Sequence, residues 1–592
     1  MVKRINVEDL NLSEEAKRNL NTWLNFGDDV REEIQRLVDE GNVKELEDRF
    51  YKKLEFGTGG MRGKMAIGTN RINKYTIMFA TQGLVNYVKS VKPNKKLSCL
   101  IGYDTRKNSY DFAIEAAKVL IANDVDVYIL KVPMPTPFSS FGIRYYKADF
   151  GIIITASHNP PEYNGYKVYW DDGAQVVAPH DKAIIDEVYK IDHISKVKTI
   201  SDEELKNSTK LHCVLEELKE AYLKVMKVNL SEIYDVDDTS YRNNIKIVYT
   251  PLHGTSINLT PDALRYIGFE NIHLVEEETT TDGTFNAVPS PNPEDDKSFI
   301  GSIELAKKVG ADVLFASDPD ADRVRAGINE NGKITLFSGN QLASMMLNWI
   351  LSNLLRKGRL PENGFVVTTI VTTDLIQKIA QNYGVETYLT LTGFKYIGEK
   401  IREFEGKKKF IFGCEESIGY LYGTDVRDKD SVISTCIISL MVEDLKKRGL
   451  TLKDYLHEIY KMYGVHIEKL ESIELEGIEG LKRMNEIANK LRKEKLPEFN
   501  GLKPLTRIDI KNRTIEDFAT GEVKEYVTDL PKSDVIIINL ERQNKFIVRP
   551  SGTEPKLKVY FFSKFDNDVS KIEEYEKEAE KLVESVRRYI LS

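Results

Sequence analysis

The chain has 592 residues, of which 41% are hydrophobic and 30% are charged. This composition is typical of a globular protein with sizeable cores and excludes a disordered chain, and the length predicts about four domains. The net charge is −8 and no long basic block is present, which argues against nucleic acid as a partner.

The N-terminal segment MVKRINVEDLNLSEE turns acidic before any apolar stretch develops, so we predict no secretory signal. No run of about 18 apolar residues is present, so we expect no membrane span. Four cysteines lie far apart without a CxxC pair, which predicts reduced thiols rather than a zinc site or a disulfide framework. They are Cys99, Cys213, Cys414 and Cys436. These features together predict a cytoplasmic protein.

Apolar strand-like runs alternate with amphipathic stretches from residue 97 onward. LSCLIGYD (97–104) is predicted to be a buried strand. YDFAIEAAKVLIAND (110–124) is predicted to be a helix, because its apolar residues recur at a spacing of three and four. VDVYIL (125–130) and FGIIITAS (150–157) are predicted strands. This alternation indicates layered α/β domains.

The same alternation returns further along the chain. Strands are predicted at 245–254, 311–318, 365–371 and 409–417, and helices at 259–269 and 372–384. Each block ends with polar or glycine-rich residues just after its strand. Because ligands of open α/β sheets bind beyond the carboxyl ends of the strands, these loops are candidate sites.

The C-terminal quarter has a different pattern. Short strands are predicted at 533–540, 545–555 and 556–563, followed by a charged helix at 568–591. Strands followed by a helix, without the earlier alternation, indicate a separate α+β domain.

The first informative loop is TASHNP (155–160), which follows an apolar strand. Ser157 is a candidate nucleophile, a role that requires exposure and a way to lose the hydroxyl proton. A polar turn capped by serine and asparagine is the alternative interpretation. The GxSxG motif is absent, which disfavours a serine hydrolase.

The second loop is SDPDADR (317–323), in which Asp318, Asp320 and Asp322 alternate after a predicted strand. Three such carboxylates can surround one hard cation with oxygen ligands, and their repulsion would be costly without one. An EF-hand is excluded because Arg323 and Asn329 stand where it needs glycine and glutamate. A solvated acidic turn is the alternative.

Three further loops carry weaker signals. RPSGTEP (549–555) offers phosphate an arginine fork, hydroxyls and backbone amides freed by glycine. GCEESIG (413–419) has two acids and a serine that suit sugar hydroxyls, although a helix start explains it equally well. FGTGGMRG (56–63) crowds glycines beside Arg62, which lets backbone amides approach an anion.

Together the five loops resemble those of the α-D-phosphohexomutase superfamily, in the order that this family shows. FGTGGMRGKMAIGTNRIN, TPLHGT and GCEESIGY are most similar to the phosphoglucomutase branch, which also contains phosphopentomutases and glucose-1,6-bisphosphate synthases. The resemblance implies four domains around a central cleft: three similar α/β domains and a C-terminal α+β domain. The predicted domains are 1–225, 226–346, 347–466 and 467–592.

The resemblance also implies roles for individual residues. The expected catalytic residues are Ser157 as phosphoryl carrier, Arg62, Lys167 and His158. The expected Mg²⁺ ligands are Asp318, Asp320, Asp322 and an oxygen of phosphorylated Ser157. The expected substrate-binding residues are Arg323, Thr392, Gly393, Glu415, Ser417 and Lys429. The expected clamp on the non-reacting phosphate consists of Arg549, Ser551, Gly552 and Thr553.

The implied reaction passes a phosphoryl group from Ser157 to glucose 1-phosphate and recovers the other phosphate from glucose 1,6-bisphosphate, leaving glucose 6-phosphate. The negative charge of phosphoserine and three aspartates would be offset by a divalent cation, Arg323, Arg62 and Lys167. Lys167 is the first candidate for the general base, because burial beside cations lowers the pKa of a lysine. His158 and His253 are the other candidates.

Ser417 departs from the pattern, because many members of this branch have alanine there. Sugar preference is therefore not fixed by the resemblance, and phosphopentomutase, phosphomannomutase and bisphosphate synthase activities stay open. A phosphosugar-binding regulator is the alternative outside enzymes, although intact Ser157, Asp318, Asp320 and Asp322 argue against it. The expected partner is a small phosphosugar, and the oligomeric state is left open.

Overall fold

The computed structural model describes residues 5–57, 59–475, 477–550 and 556–592. Their contacts divide the chain into two compact units. The first unit consists of Met1–Phe337, Gly398–Glu405 and Gly419–Glu443. The second unit consists of Ser338–Ile397, Gly406–Ile418 and Asp444–Ser592.

Helices and strands alternate through residues 5–337. The helices are α1 (Glu14–Trp23), α2 (Asp28–Asp39), α3 (Val43–Phe50), α4 (Lys74–Val91), α5 (Ser109–Ala122), α6 (Thr136–Tyr145), α7 (His180–Tyr189), α8 (Asp202–Lys206), α9 (Glu216–Ile233), α10 (Thr260–Tyr266) and α11 (Ile300–Val309). The strands are β1 (Phe56–Gly57), β2 (Gly60–Lys64), β3 (Ser98–Tyr103), β4 (Asp126–Leu130), β5 (Phe150–Ile154), β6 (Tyr163–Trp170), β7 (Leu211–Val214), β8 (Ile247–Thr250), β9 (Ile272–Leu274), β10 (Val313–Ser317), β11 (Val324–Glu330) and β12 (Lys333–Leu336).

The remainder of the chain adds further helices and strands. The helices are α12 (Gly339–Arg356), α13 (Leu375–Asn382), α14 (Phe394–Glu403), α15 (Ser431–Lys447), α16 (Leu452–Tyr463), α17 (Gly477–Lys493) and α18 (Ile572–Leu591). The strands are β13 (Gly364–Thr369), β14 (Glu386–Thr390), β15 (Lys409–Glu415), β16 (Gly419–Tyr422), β17 (His466–Glu474), β18 (Pro504–Asp509), β19 (Thr514–Asp517), β20 (Val523–Glu525), β21 (Ile536–Leu540), β22 (Lys545–Pro550) and β23 (Lys556–Lys564).

The first sheet of the first unit has the order β1-β2-β6-β5-β3-β4-β7. Strands β5, β3, β4 and β7 run parallel, while β6 pairs antiparallel with β5 and β2 pairs antiparallel with β6 at one side. Every residue of β5 is buried, as expected for a strand covered on both faces. The parallel arrangement brings the loops after β3 and β5 to the same edge of the sheet.

The second sheet of the first unit has the order β12-β11-β10-β8-β9. Strands β8, β9 and β10 are parallel, and β11 turns back antiparallel to β10. The segment that joins β10 to β11 contains the three alternating aspartates. It therefore lies at the carboxyl end of a buried parallel strand, where ligands of such sheets bind.

The N-terminal helices α1, α2 and α3 form a small core of their own with α4. Trp23 packs against Phe26, Phe50 and Tyr75, with ring centroids 5.0 to 5.9 Å apart. Asn73 begins α4 with a capping box, because its side chain accepts from the Thr76 amide while Thr76 caps the Asn73 amide. Residues before the first sheet are thus a packed part of the first unit.

The second unit contains a parallel set in which β13 lies between β14 and β15. It also contains an antiparallel sheet with the order β17-β23-β22-β21-β18-β19-β20. One core of this sheet includes buried residues of α17 and α18, among them Leu491 and Val586. Another core joins Tyr560 and Ile547 to Ile370 and Leu391. The C-terminal sheet is therefore covered on both faces.

These elements confirm the predicted α/β architecture with a C-terminal sheet and helix. Among the described residues, each strand and helix predicted between 97 and 591 is present, with ends shifted by a few residues. Residues 551–555 of the predicted strand 545–555 lie outside the described residues. All four cysteines are free, with Cys213 exposed and the others buried. Within the described ranges, no helix is both long enough and apolar enough to span a bilayer.

A fully buried ion pair supports the first unit. The Arg242 Nε lies 3.0 Å from an oxygen of Glu443, and both side chains are inaccessible to solvent. Arg242 also donates to the carbonyl oxygens of Val236, Ile267 and Asp235. The guanidinium is thus tied to segments far apart in the sequence.

We expect Arg242→Met to lower the free energy of unfolding by about 3–5 kcal/mol, because it removes the guanidinium that pairs with the buried Glu443 carboxylate. Urea unfolding followed by circular dichroism would measure the loss. The double variant R242M/E443L should recover part of the loss, since it also removes the buried Glu443 carboxylate. A single variant as stable as the wild type would contradict this account.

Candidate active site

Ser157 lies in the loop that follows β5, and its side chain is almost completely buried. Its backbone has a φ of 53°, in the left-handed region that a non-glycine residue rarely adopts. The amide of Ser157 donates to Thr155 Oγ1 at 2.9 Å, and its Oγ donates to Asp318 Oδ2 at 2.9 Å. The turn therefore aims the hydroxyl at the aspartate loop.

Arg106 fixes the backbone of the serine loop, a role that the sequence prediction missed. Its guanidinium donates to the carbonyl oxygens of Ser157 and Asn159, both at 2.6 Å, and to those of Pro160 and Tyr163. The buried Asp104 carboxylate lies 3.2 Å from Arg106 Nε. The available signal was Asp104-Thr105-Arg106, a polar run directly after β3 at the edge where β5 also ends.

Gly165 on β6 explains how the strands beside this loop approach so closely. A Cβ at this position would lie 2.4 Å from the Thr155 carbonyl oxygen and 2.7 Å from that of Met61. These distances are too short for any side chain, so the position requires glycine. The close approach holds the start of the serine loop and strand β2 together.

The side chains of Asp318, Asp320 and Asp322 are buried and converge. One carboxylate oxygen from each lies within 4.8 Å of the others. Thr136 Oγ1 donates to Asp320 Oδ2 at 3.1 Å, while the Oδ1 atoms of Asp320 and Asp322 are buried without a hydrogen-bond partner in the described part of the chain. Three oxygen donors with unused lone pairs fit a hard divalent cation.

Two lysines partly offset this negative charge. Lys167 Nζ lies 2.8 Å from Asp320 Oδ2 and 3.5 Å from Asp322 Oδ2. Lys429 Nζ lies 3.1 Å from Asp322 Oδ2 and 3.1 Å from Asp428 Oδ1. The sequence prediction did not anticipate that Lys429, more than 100 residues further along the chain, contacts the aspartate loop.

The ionisation of the cluster follows from these contacts. Burial and the neighbouring Asp320 and Asp322 raise the pKa of Asp318 well above its usual range. Burial alone would raise the pKa of Asp320, but the Lys167 ammonium lowers it below its usual range. Burial alone would lower the pKa of Lys167, but Asp320 and Asp322 raise it. The expectation of a lowered lysine pKa, based on neighbouring cations, is wrong here because its nearest charges are carboxylates.

His158 and Arg62 adjoin the serine. His158 Nδ1 lies 3.2 Å from Ser157 Oγ, and Arg62 donates to Asn159 Oδ1 at 2.8 Å. Burial, together with the positive charges of Arg323 and Arg62, lowers the pKa of His158 well below its usual value. The imidazole is therefore neutral at pH 7, with a nitrogen beside the serine hydroxyl.

Arg323 and His253 complete the predicted set in the first unit. Arg323 forms a 2.6 Å ion pair with Glu294, and its backbone amide donates to Asp318 Oδ1 at 3.0 Å. His253 is buried; its ring contacts the Thr280 carbonyl oxygen through Nδ1 and the Ala287 amide through Nε2. Both ring nitrogens are used by backbone groups, so His253 is structural rather than a base.

The residues predicted to face the sugar, Thr392, Gly393, Glu415 and Ser417, lie in the second unit. The Gly393 amide donates to Glu415 Oε1 at 2.8 Å, which brings the predicted Thr392-Gly393 loop to the end of β15. Ser417 follows two residues later and is partly exposed, and Arg549 lies on β22 opposite Lys558. Ser551, Gly552 and Thr553 lie outside the described residues. The roles assigned to all these residues stay predictions.

Family models match most of the chain. Domain I of the phosphoglucomutase/phosphomannomutase family, an α/β/α domain, matches residues 53–195. Domain II matches residues 220–331, and domain III matches residues 338–463. The matched domains contain the serine loop, the aspartate loop and the Glu415 loop, in that order.

Curated relatives and solved structures agree with this match. A Staphylococcus epidermidis phosphoglucomutase is 36% identical over 549 residues, covering 91% of this chain and 96% of that protein. A Staphylococcus aureus phosphoglucomutase is 35% identical, covering 91% and 95%. The Paramecium phosphoglucomutase pp63/parafusin has a similar fold, with a TM-score of 0.64 at 18% identity over 90% of this chain and 96% of that one. The chain belongs to the phosphoglucomutase/phosphomannomutase family, within the α-D-phosphohexomutase superfamily.

Proposed function

We propose that this phosphohexomutase, an enzyme of the isomerase class, interconverts glucose 1-phosphate and glucose 6-phosphate with Ser157 as phosphoryl carrier. The observation that carries the proposal is the 2.9 Å hydrogen bond from Ser157 Oγ to Asp318, one of three clustered carboxylates. Relatives named phosphoglucomutase extend over 91% of the chain and support the choice of sugar.

Asp318, Asp320 and Asp322 would hold Mg²⁺, together with an oxygen of phosphorylated Ser157. When bound, a divalent cation supplies Lewis-acid polarisation of the phosphoryl group. Phosphoserine would add nearly two negative charges beside three carboxylates. Lys167 and Lys429, each within about 3 Å of one of these carboxylates, lower the remaining repulsion.

Arg106 positions the carrier rather than taking part in the bond changes. By holding four carbonyl oxygens of residues 157–163, it fixes the loop and so the direction of Ser157 Oγ. Fixed geometry matters here, because enzymes accelerate phosphoryl transfer mainly by positioning and by charge stabilisation. A mobile loop would lose both the positioning of Ser157 Oγ and the charge stabilisation.

In the first transfer, the bond from phosphorus to Ser157 Oγ breaks and a bond to the free hydroxyl oxygen of glucose 1-phosphate forms. The sugar hydroxyl loses a proton, and Ser157 Oγ gains one. His158 Nδ1, 3.2 Å from that oxygen, is placed to exchange the proton. The product of this half-reaction is glucose 1,6-bisphosphate with unphosphorylated Ser157.

The second transfer requires the bisphosphate to turn end for end before Ser157 recovers the other phosphate. Glu415 and Thr392-Gly393 would hold sugar hydroxyls in both orientations. Arg549 with Ser551, Gly552 and Thr553 would hold whichever phosphate is not reacting, because an arginine fork suits phosphate in either orientation. A cytoplasmic location, expected for an enzyme of central sugar metabolism, belongs to the same proposal.

We expect Asp322→Asn to weaken binding of Mn²⁺, used as a spectroscopic substitute for Mg²⁺, by about 100-fold or more, because it removes a negatively charged ligand. Electron paramagnetic resonance titration would measure the affinity without any turnover. Asp428→Asn is the matched control, since Asp428 also contacts Lys429 but is not one of the three converging carboxylates. Equal Mn²⁺ affinities for wild type and D322N would contradict the metal site.

We expect Ser157→Ala to lower kcat for glucose 1-phosphate by about 1,000-fold or more, because the variant cannot carry the phosphoryl group. The assay contains Mg²⁺ and a trace of glucose 1,6-bisphosphate. Ser302→Ala, which alters another buried serine of the first unit, should leave kcat unchanged. Ribose 1-phosphate and mannose 1-phosphate in the same assay separate the three sugar specificities. Full activity in S157A would overturn the mechanism.

A further inference from the structure

A second charged cluster lies in the second unit and involves none of the residues assigned above. It lines a cavity of about 360 Å³. We call it the lysine pocket and define it by Lys378, Lys545, Lys564, His466 and Gln543. Two acids, Asp374 and Glu468, also line the cavity.

The strand register explains how the C-terminal sheet contributes to the pocket. In the antiparallel pair β17 and β23, His466 lies opposite Lys564. One step along the same face, Phe562 is flanked by Glu468 on β17 and by Lys545 on β22. Because alternate residues of a strand share a face, these five side chains project to the same side. One face of the sheet thus presents a row of charged side chains to the lysine pocket.

Helix α13 adds a third cation to this row. Lys378 Nζ lies 3.5 Å from His466 Nε2 and next to the Lys564 ammonium. Burial and the positive charge of Lys564 lower the pKa of Lys378 to about 8. Burial and the positive charge of Lys378 lower the pKa of His466 to about 3. Two ammonium groups held side by side are an unfavourable arrangement without a compensating anion.

The acids of the pocket compensate these two lysines only in part, since Asp374 is the one carboxylate that favours the charged form of Lys378. Lys545 Nζ lies 2.7 Å from Asp374 Oδ1, so that carboxylate already has a partner. Lys564 Nζ donates to the neutral Gln543 Oε1 at 3.0 Å. Burial raises the pKa of Glu468 to about 7, so it is only partly charged at neutral pH. Among the described residues, neither Lys378 nor Lys564 forms an ion pair with a carboxylate, and the pocket carries excess positive charge.

A strained turn helps to form the pocket. Arg542 and Gln543, between β21 and β22, have φ values of 56° and 58°. Two consecutive left-handed residues in a hairpin are usually asparagine or glycine, so this pair stores strain. The turn places the Gln543 side chain on Lys564.

We propose that the lysine pocket binds a small dianion of the phosphate class, either inorganic phosphate or a phosphomonoester. Such a dianion would lie between Lys378 and Lys564 and convert their repulsion into two charge-assisted hydrogen bonds. The Gln543 amide offers a further donor, and the cavity has room for a small organic group beyond the phosphate. Lys545 and Arg549 stand about 13 Å apart along β22, so this site is separate from Arg549 of the predicted phosphate clamp.

Site-resolved lysine acetylation tests the proposal on the full chain. A small excess of an amine-reactive acetyl ester labels lysines, and peptide mass spectrometry reports the rate at each one. Inorganic phosphate should slow labelling of Lys378 and Lys564 about tenfold at ten times its dissociation constant, because bound amines are protected in proportion to occupancy. Sodium chloride at equal ionic strength should not. Because the labelling rate is measured for each lysine separately, protection at the lysine pocket is distinguished from the effect of phosphate bound elsewhere on the chain.

Exposed lysines of the same unit provide the internal control. Lys511 and Lys524 have side chains 57% and 66% exposed and lie outside the pocket, so phosphate should leave their labelling unchanged. A parallel experiment with glycerol 3-phosphate distinguishes a phosphomonoester from inorganic phosphate as the ligand of the lysine pocket. Stronger protection by the ester would identify an organic phosphate, and equal protection would identify phosphate itself.

Calorimetry on two variants gives an independent measurement. K378Q/K564Q should lose one phosphate-binding event that K511Q/K524Q, with the same change in charge, retains. If K378Q/K564Q fails to fold, the labelling experiment on the wild type decides alone. Unchanged labelling of Lys378 and Lys564 across the millimolar range of both anions would overturn the proposal. Equal slowing at Lys511 and Lys524 would also overturn it.

Discussion

Three buried carboxylates that converge, one of which accepts a hydrogen bond from the Ser157 hydroxyl, are the main constraint on the first unit. Burial, together with repulsion from Asp320 and Asp322, raises the pKa of Asp318, and the ionised cluster is stabilised by positive charge nearby. Lys167 and Lys429 supply part of it from strands and loops far apart in the sequence. Phosphorylation of Ser157 would increase the need for positive charge, so the proposed divalent cation and the proposed phosphoryl carrier would form one electrostatic system.

The position of Ser157 and of the three aspartates could be predicted because both follow buried strands whose apolar patterns are plain in the sequence. Strand ends of an open α/β sheet place loop residues at the ligand-binding edge. Arg106 was missed, since its bonds to the serine loop cross about 50 residues and need the parallel pairing of β3 with β5. The pKa of Lys167 was predicted in the wrong direction, because the identity of its nearest charges depends on tertiary contacts.

In the second unit, too, residues within sequence motifs could be predicted, whereas residues that only tertiary contacts bring together could not. Glu415 and Gly393 were assigned to one sugar-facing group from motifs, and a hydrogen bond now joins them. The lysine pocket had no such signal, because Lys378, His466, Lys545 and Lys564 lie on four separate elements without a shared motif. The register of β17, β23 and β22 places His466, Lys564 and Lys545 on one face, and α13 adds Lys378. The predicted domain boundaries stay predictions, and the fold class is confirmed.

The central claim is that Ser157 carries the phosphoryl group, and transfer of label from radioactive glucose 1,6-bisphosphate tests it most directly. The protein is mixed with the labelled bisphosphate and Mg²⁺, quenched, digested and mapped by peptide. The account predicts a single labelled phosphoryl group on the peptide that contains Ser157, removed when unlabelled glucose 6-phosphate is added. Label on any other residue, or no covalent label in a protein that turns over substrate, would contradict it.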